Sequence, residues 1–228
     1  MSQLALPLKL QDHAVFESYW PEGNEAAVAF LTELATTDSG QGAWLRGKPA
    51  TGKTHLLQAV CERRGDAAVY VPLEQVFAAG TELLDGLASR RCICIDDIDH
   101  AAGDAAWELA LFDLYNQVGD VRGSIVVSAA NALRESGFEL ADLVSRLSLL
   151  PAFHIQELPE SGRIKALQLR ARHRGLELPD DTASFMLNRT RRDMANLYDL
   201  LDELDTAALA AKRRLTIPFV KEVLSSAD

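Results

Sequence analysis

The chain has 228 residues, 48% hydrophobic and 25% charged, with 33 acids against 23 bases and a formal net charge of −10. A chain of this size and composition can bury a core without disulfides or metal, and its acidity argues against a protein that coats nucleic acid by itself. No apolar run of about 18 residues is present, MSQLALPLKL lacks the basic start and cleavage site of a signal peptide, and Cys61, Cys92 and Cys94 have no zinc-type spacing and read as buried thiols of a cytoplasmic protein.

In chain order, residues 3–8 come first. Leu4, Leu6 and Leu8 are apolar side chains on a segment too short to bury them by itself. Pro7 restricts the backbone and lowers the ordering cost of docking, and Gln3 can hydrogen-bond a groove's edge. The segment reads as a docking peptide or as an N-terminal strand packed on its own domain. Short apolar stretches bounded by turn signals then recur at Ala43–Leu45, Ala67–Val71, Cys92–Ile95, Ser124–Ser128 and Phe153–Ile155. Helical patterns separate them at Glu25–Thr36, His55–Arg64 and Trp107–Val118. Strands alternating with helices predict a parallel sheet in a three-layer α/β core.

Gly47-Lys48-Pro49-Ala50-Thr51-Gly52-Lys53-Thr54 matches GxxxxGK[ST] between the first strand and a helix that takes in His55. In such a loop glycines admit close approach of backbone to phosphate, and successive N–H groups supply positive potential. Lys53 would reach the β- and γ-phosphates of a nucleotide, and Thr54 would ligate Mg²⁺. About forty residues on, an apolar strand ends in Asp96-Asp97. Asp96 is expected to hold Mg²⁺ and Asp97 to orient or deprotonate the attacking water. Asp99 is expected to face solvent or cap the next helix. Leu140, Leu143, Val144 and Leu147 mark a short amphipathic helix that carries Arg146.

From about Pro159 the β signal stops. Helices are expected at Ser161–Arg174, ended by Gly175, at Asp180–Asn188 with Asp180 as N-cap, at Arg191–Ala211 and at Pro218–Ser226. The expected organisation is a peptide at 1–10, an α/β nucleotide-binding domain at 11–158 and a small all-helical lid at 159–228. Arg163, Lys165, Arg170, Arg172 and Arg174 lie on the first lid helix. They read as a solvated face, or as the minority alternative a contact with DNA held by the clamp or with an acidic partner surface.

Several of these segments together resemble the DnaA-related family of AAA+ P-loop ATPases. Asp96-Asp97-Ile98-Asp99 is similar to that family's acidic strand end, and Phe16-Glu17-Ser18-Tyr19-Trp20 with Gly23-Asn24 is similar to the opening of its ATPase domain. Asp142-Leu143-Val144-Ser145-Arg146-Leu147 resembles the segment that carries the arginine finger. Arg191-Arg192-Asp193-Met194 falls where the family has its sensor 2 arginine, with Arg192 in register, and Asn131 lies near sensor 1. Gln3-Leu4-Ala5-Leu6-Pro7-Leu8 resembles the peptide by which bacterial proteins bind the DNA polymerase III β sliding clamp. A clamp peptide ahead of such an ATPase module resembles the Hda-type regulatory inactivators of DnaA.

The resemblance implies an AAA+ core with a parallel sheet and a helical lid. ADP or ATP would be held by Gly47, Pro49, Ala50, Thr51, Gly52, Lys53, Thr54, His55 and Arg192, with Mg²⁺ on Thr54 and Asp96. It implies catalytic roles for Asp97, Asn131 and Arg146, the last acting in trans on DnaA-bound ATP. Its implied partners are the clamp, DnaA, DNA reached through the clamp complex and further copies of the chain. Asp97 is one methylene shorter than the Glu common in AAA+ ATPases, so slow intrinsic hydrolysis is expected. The sequence stops after the lid pattern, without the helix-turn-helix of a full initiator, which points to regulation. The alternative is a DnaA-like ATPase that loads a helicase or remodels DNA.

Overall fold

The computed structural model describes residues 14–189, 193–211 and 213–226. They form two compact units, one built on Asn24–Gln156 and the other on residues from 157 onward together with Glu17–Gly23. The described residues contain no helix long and apolar enough to cross a membrane.

The first unit is a five-stranded sheet whose neighbouring strands all pair in parallel. The strands are β1 (Ala43–Arg46), β2 (Ala68–Pro72), β3 (Cys92–Asp96), β4 (Ser124–Ala129) and β5 (Ala152–His154), in the order β2-β3-β4-β1-β5. Runs such as Cys-Ile-Cys-Ile and Ile-Val-Val carry no polar alternation, and both β3 and β4 are buried along their whole length. That is the pattern of parallel strands covered on both faces. The thiols of Cys61, Cys92 and Cys94 are buried and unpaired by disulfide, as their spacing predicts.

Helices α1 (Glu25–Thr36), α2 (Lys53–Arg64), the short α3 (Leu73–Val76), α4 (Ala105–Asp120) and α5 (Ala141–Leu147) surround the sheet. Asp104 caps α4, accepting from the N–H groups of Ala106 and Trp107 at 3.0 and 3.1 Å. Asn24, which precedes α1, bonds across the unit instead. Its amide accepts from Gln156 N at 2.8 Å and donates to Gln156 O at 3.2 Å, so the entry to α1 is pinned beside the exit from the sheet. Trp44, Ile93, Ile95, Trp107, Leu111 and Leu114 belong to one core cluster. Full burial of each such side chain contributes roughly 1.5–3 kcal/mol.

The second unit contains α6 (Glu160–His173), α7 (Asp180–Arg189), α8 (Met194–Ala211) and α9 (Ile217–Ser226) around Leu167, Met186, Leu197, Leu201, Leu204 and Phe219. Gly175 (φ 75) closes α6, and Leu176 N donates back to Ala171 O at 2.9 Å. The expected start of α8 at Arg191 lies outside the described residues, which also leave out Arg192 and the segment Gln3–Leu8.

Two expectations change here. Asp180 is the first residue inside α7 rather than its cap, and its carboxylate accepts from Gln168 Nε2 at 2.6 Å. The cations of α6 are not one solvated face. Arg170 is 4% exposed, stacks on the Tyr198 ring at 4.3 Å and pairs with Asp202 at 3.6 Å. Arg174 pairs with Asp202 at 2.6 Å, Arg163 Nε donates to Leu158 O, and Lys165 lies over the Trp20 ring. Arg172 is exposed. A guanidinium this close to both an aromatic face and a carboxylate holds helices together rather than offering charge to a polyanion.

This assigns different effects to neighbouring arginines. Arg170→Ala should lower stability by about 2 kcal/mol, below the cost of breaking a fully buried pair because the Asp202 side chain is 44% exposed. Arg172→Ala should change stability by under about 0.5 kcal/mol. Urea unfolding of the full chain checks both, and equal losses would contradict the division.

Candidate nucleotide site

The phosphate loop leaves β1 at Gly47 and enters α2 at Lys53. A Cβ at Gly47 would lie 2.5 Å from Ile155 O, so only glycine lets this strand end run so close to the backbone after β5. Ala50 (φ 61) and Gly52 (φ 98) take left-handed conformations, and Thr51 Oγ1 closes the turn by donating to Lys48 O at 2.9 Å. Alternating backbone conformations of this kind turn successive N–H groups toward one concavity, which suits an anion. Lys53, 7% exposed, donates from Nζ to Gly47 O at 2.7 Å and Lys48 O at 3.1 Å. Phosphate oxygens, being ionised, accept from an ammonium more strongly than these carbonyls do. Thr54 is exposed in the first turn of α2. Pro49 and Ala50 lie exposed on the loop, and His55 Nε2 donates to Val15 O at 2.8 Å.

Asp96 ends β3 and is 3% exposed. Its Oδ2 accepts from the Tyr70 hydroxyl at 2.7 Å, and its Oδ1 accepts from Ser128 Oγ. Ser128 Oγ also accepts from Asp97 N at 2.9 Å, so one hydroxyl fixes the side chain of the first acid and the backbone of the second. Burial, reinforced by the carboxylate of Asp96, pushes the Tyr70 phenol well above its usual range.

Asp97 stands in a left-handed conformation (φ 52), half-buried. Burial, followed by the charge of Asp96, pushes its pKa up to about 6, while the ammonium of Lys53 pulls it down and Asp99 and Glu74 add to the rise. The charge of Lys53, on the phosphate loop, is thus among those felt by Asp97 at the acidic strand end. A base titrating near 6 is suited to proton transfer at neutral pH. Asp99 neither faces solvent alone nor caps α4; its Oδ2 accepts from Ala130 N at 3.0 Å.

Asn131 follows β4, exposed, and its backbone carbonyl accepts from Trp44 Nε1 at 3.2 Å. That bond ties the second residue after β4 to β1, the strand that feeds the phosphate loop. Arg146 is exposed in the last turn of α5, while Leu143 and Leu147 of that helix are buried. Its charge acts on the partly buried Tyr115 of α4.

Tyr70 and Ser128, which orient the Asp96 carboxylate, are not singled out by the sequence. They sit in stretches counted only as strand, and their meaning depends on β2 and β4 both flanking β3. Among the described residues no cluster of three His, Cys, Asp or Glu could hold a metal by itself. A carboxylate and a hydroxyl, as on Asp96 and Thr54, are the kinds of oxygen ligand that would hold Mg²⁺ if phosphates and water provided the rest. The backbone cradle, the lysine and the oriented carboxylate thus fit a nucleoside phosphate with Mg²⁺.

The raised pKa of Asp97 carries a sign. Folding raises it above the unfolded value of about 3.9, so its ionisation disfavours the folded state as pH rises from about 4 through 6. Asp97→Asn keeps a residue that tolerates the left-handed backbone. Without nucleotide or Mg²⁺, it should therefore unfold at a higher temperature than the parent chain at pH 7, with the gain fading toward pH 4. Calorimetry across that window checks this, and a gain independent of pH would contradict it.

Comparison with known proteins adds to this geometry. The family described as Hda, lid domain, matches residues 160–224. Domain III of the Thermotoga maritima replication initiation protein DnaA superposes with a TM-score of 0.77 at 18% identity, covering 94% of this chain and 97% of that one. DnaA from Aquifex aeolicus, bound to AMPPCP, gives 0.69 at 22% identity, over 85% of this chain and 65% of that one. The RuvB Holliday junction branch migration motor of Thermotoga maritima gives 0.59 at 17% identity, over 90% and 69%. The chain thus spans about two thirds of the length of the Aquifex DnaA chain it resembles. The parallel sheet is thus similar in fold to domain III of DnaA, and residues 160–224 match the lid domain of the Hda family.

Proposed function

We propose that this protein is a regulator of bacterial replication initiation that promotes hydrolysis of ATP bound to DnaA. The observation that carries the reading is Arg146, an exposed guanidinium on a helix whose other face is anchored by Leu143 and Leu147. The guanidinium is planar, permanently charged and matched to phosphate oxygens, and an arginine finger supplied in trans raises phosphoryl-transfer rates by roughly 10³ to 10⁵. The product, DnaA carrying ADP, would be the inactive initiator.

In its own site the chain would hold ADP or ATP on the loop from Gly47 to Thr54, whose residues other than Pro49 carry backbone N–H donors, and on the Lys53 ammonium, with Thr54 and Asp96 as the protein ligands of Mg²⁺. Mg²⁺ held by these residues would supply charge neutralisation for the bound phosphates. Asp97 would orient or deprotonate water, but its carboxyl reaches one methylene less far than a glutamate. A misplacement of about 1 Å can cost a hundredfold, which favours slow turnover by the chain itself. Asn131 and, in the lid, Arg192 are proposed as further contacts to the nucleotide. The AMPPCP bound to the related Aquifex aeolicus DnaA supports a nucleotide in this site.

The segment Gln3–Leu8 is proposed as the tether to the sliding clamp, which would bring the protein to clamp loaded on DNA in the cytoplasm. Changing Leu6 and Leu8 to Ala removes two apolar anchors, together worth roughly 3–6 kcal/mol if fully buried. Clamp capture should be lost while nucleotide affinity is kept. Equal clamp retention by the double variant would reassign the segment to the protein's own domain.

Arg146→Ala decides between this reading and a self-contained ATPase. In a mixture with clamp loaded on DNA, hydrolysis of labelled ATP on DnaA should fall on the order of a thousandfold in the stimulated step. The variant's own nucleotide affinity and clamp capture should stay as they were. Arg146→Lys should restore little, because an ammonium lacks the planar fork. Undiminished stimulation by Arg146→Ala would overturn the proposal.

A further inference from the structure

Glu108 lies in the first turn of α4 and is 1% exposed, an unusual place for a carboxyl. Its oxygens are taken up by backbone donors from two directions. Oε1 accepts from Gly103 N at 2.7 Å, in the turn just before α4, and from Glu139 N at 3.0 Å. Oε2 accepts from Glu139 N at 3.0 Å and from Leu140 N at 2.6 Å. Glu139 and Leu140 are the two residues immediately before α5, and neither N–H lies within a helix that could satisfy it. A single buried side chain therefore fastens the start of the helix that carries Arg146 to the body of the domain. Phe138, one residue earlier, meets the Trp44 ring edge-on with centroids 6.5 Å apart, which holds the approach to this segment from β1.

We infer that Glu108 is a positioning residue for Arg146: by fixing Glu139 and Leu140 it sets where α5 begins, and so where the guanidinium is presented to the triphosphate of a second AAA+ subunit. This rests on the trans role of Arg146 proposed above. The physical basis is geometric. α5 spans only Ala141–Leu147, so Arg146 stands less than two turns from the fastened residues. Over that length a shift at Leu140 is passed to Arg146 almost undiminished. A carboxylate can accept from all these donors at once. An amide in the same place has one oxygen and one NH₂, and the NH₂ would face an N–H group. Glu108→Gln therefore keeps size and burial while breaking one side of the fastening.

The test is stimulated hydrolysis of DnaA-bound ATP by the full chain with clamp loaded on DNA, measured for wild type, Glu108→Gln, Arg146→Ala and the double variant. Glu108→Gln should lower the maximal stimulated rate by roughly ten- to a hundredfold, as expected for a misplacement of about 1 Å. The concentration giving half-maximal stimulation, and the chain's own nucleotide affinity, should change by less than about twofold. The double variant should be no slower than Arg146→Ala alone, because a residue that acts only through Arg146 has nothing left to position. If the two losses multiply, Glu108 serves general stability and the inference is overturned. A wild-type maximal rate for Glu108→Gln overturns it as well, while a slow Arg146→Ala leaves the trans reading standing. Undiminished stimulation by Arg146→Ala instead removes the trans reading and this inference with it. Should Glu108→Gln fail to fold, Leu140→Pro removes the donor from the other side, at a backbone φ of −74 that proline adopts. The same rate loss, again absent in the Arg146→Ala background, is then expected.

Discussion

The carboxylate of Asp96 has to be buried at the end of a parallel strand and still be held in one orientation. A carboxylate taken out of water needs hydrogen-bond donors for both oxygens. Tyr70 supplies one from β2 and Ser128 the other from β4, so the acid is met from the strands on either side of its own. This works only because β3 lies between β2 and β4. The same strand order leaves β4 beside β1, whose end opens the phosphate loop. Asp97 then inherits its position from Asp96 through the Ser128 hydroxyl, and its raised pKa from burial and the charge next to it. The site is thus a property of three neighbouring strand ends, as in α/β sheets that bind ligands beyond the carboxyl ends of their strands.

A second buried carboxyl plays a comparable part away from the phosphate loop. Glu108 and Asp96 are both almost fully buried, and each has its oxygens taken up by donors from other segments of the fold. Asp96 is met by side-chain hydroxyls, which can turn aside for a cation. Glu108 is met by backbone N–H groups, which cannot turn. The first arrangement suits a ligand that comes and goes, and the second suits a permanent fastening. In the helical unit, Arg170 and Arg174 both pair with Asp202, and Arg170 also stacks on Tyr198. With those cations used internally, the helix offers less positive charge than its sequence suggests, in keeping with a net charge of −10.

The local elements were legible in the sequence to within a few residues. Cys92–Asp96 reads as a buried strand because nothing in Cys-Ile-Cys-Ile alternates, and Gly47–Thr54 reads as a phosphate loop because glycine spacing and a lysine before a helix are contiguous. These are short-range properties set by backbone sterics and hydrophobic pattern. Asp97 was singled out by its place at the end of an apolar strand, and Arg146 only by the resemblance of the segment that carries it. Asp180 was misplaced by one residue because a proline-aspartate pair marks a helix start without deciding which residue is the cap.

What only the tertiary structure decided is which strands are neighbours and which polar groups therefore meet. Nothing local to Tyr70, Ser128 or Glu108 sets them apart from other residues of a strand or helix. Their roles depend on partners 26, 32 and 31–32 positions away in the chain. Such pairings follow from strand order and helix packing, which minimise the free energy of the whole fold. A hydroxyl or a carboxyl shows its function only once burial has removed the water that would otherwise satisfy it.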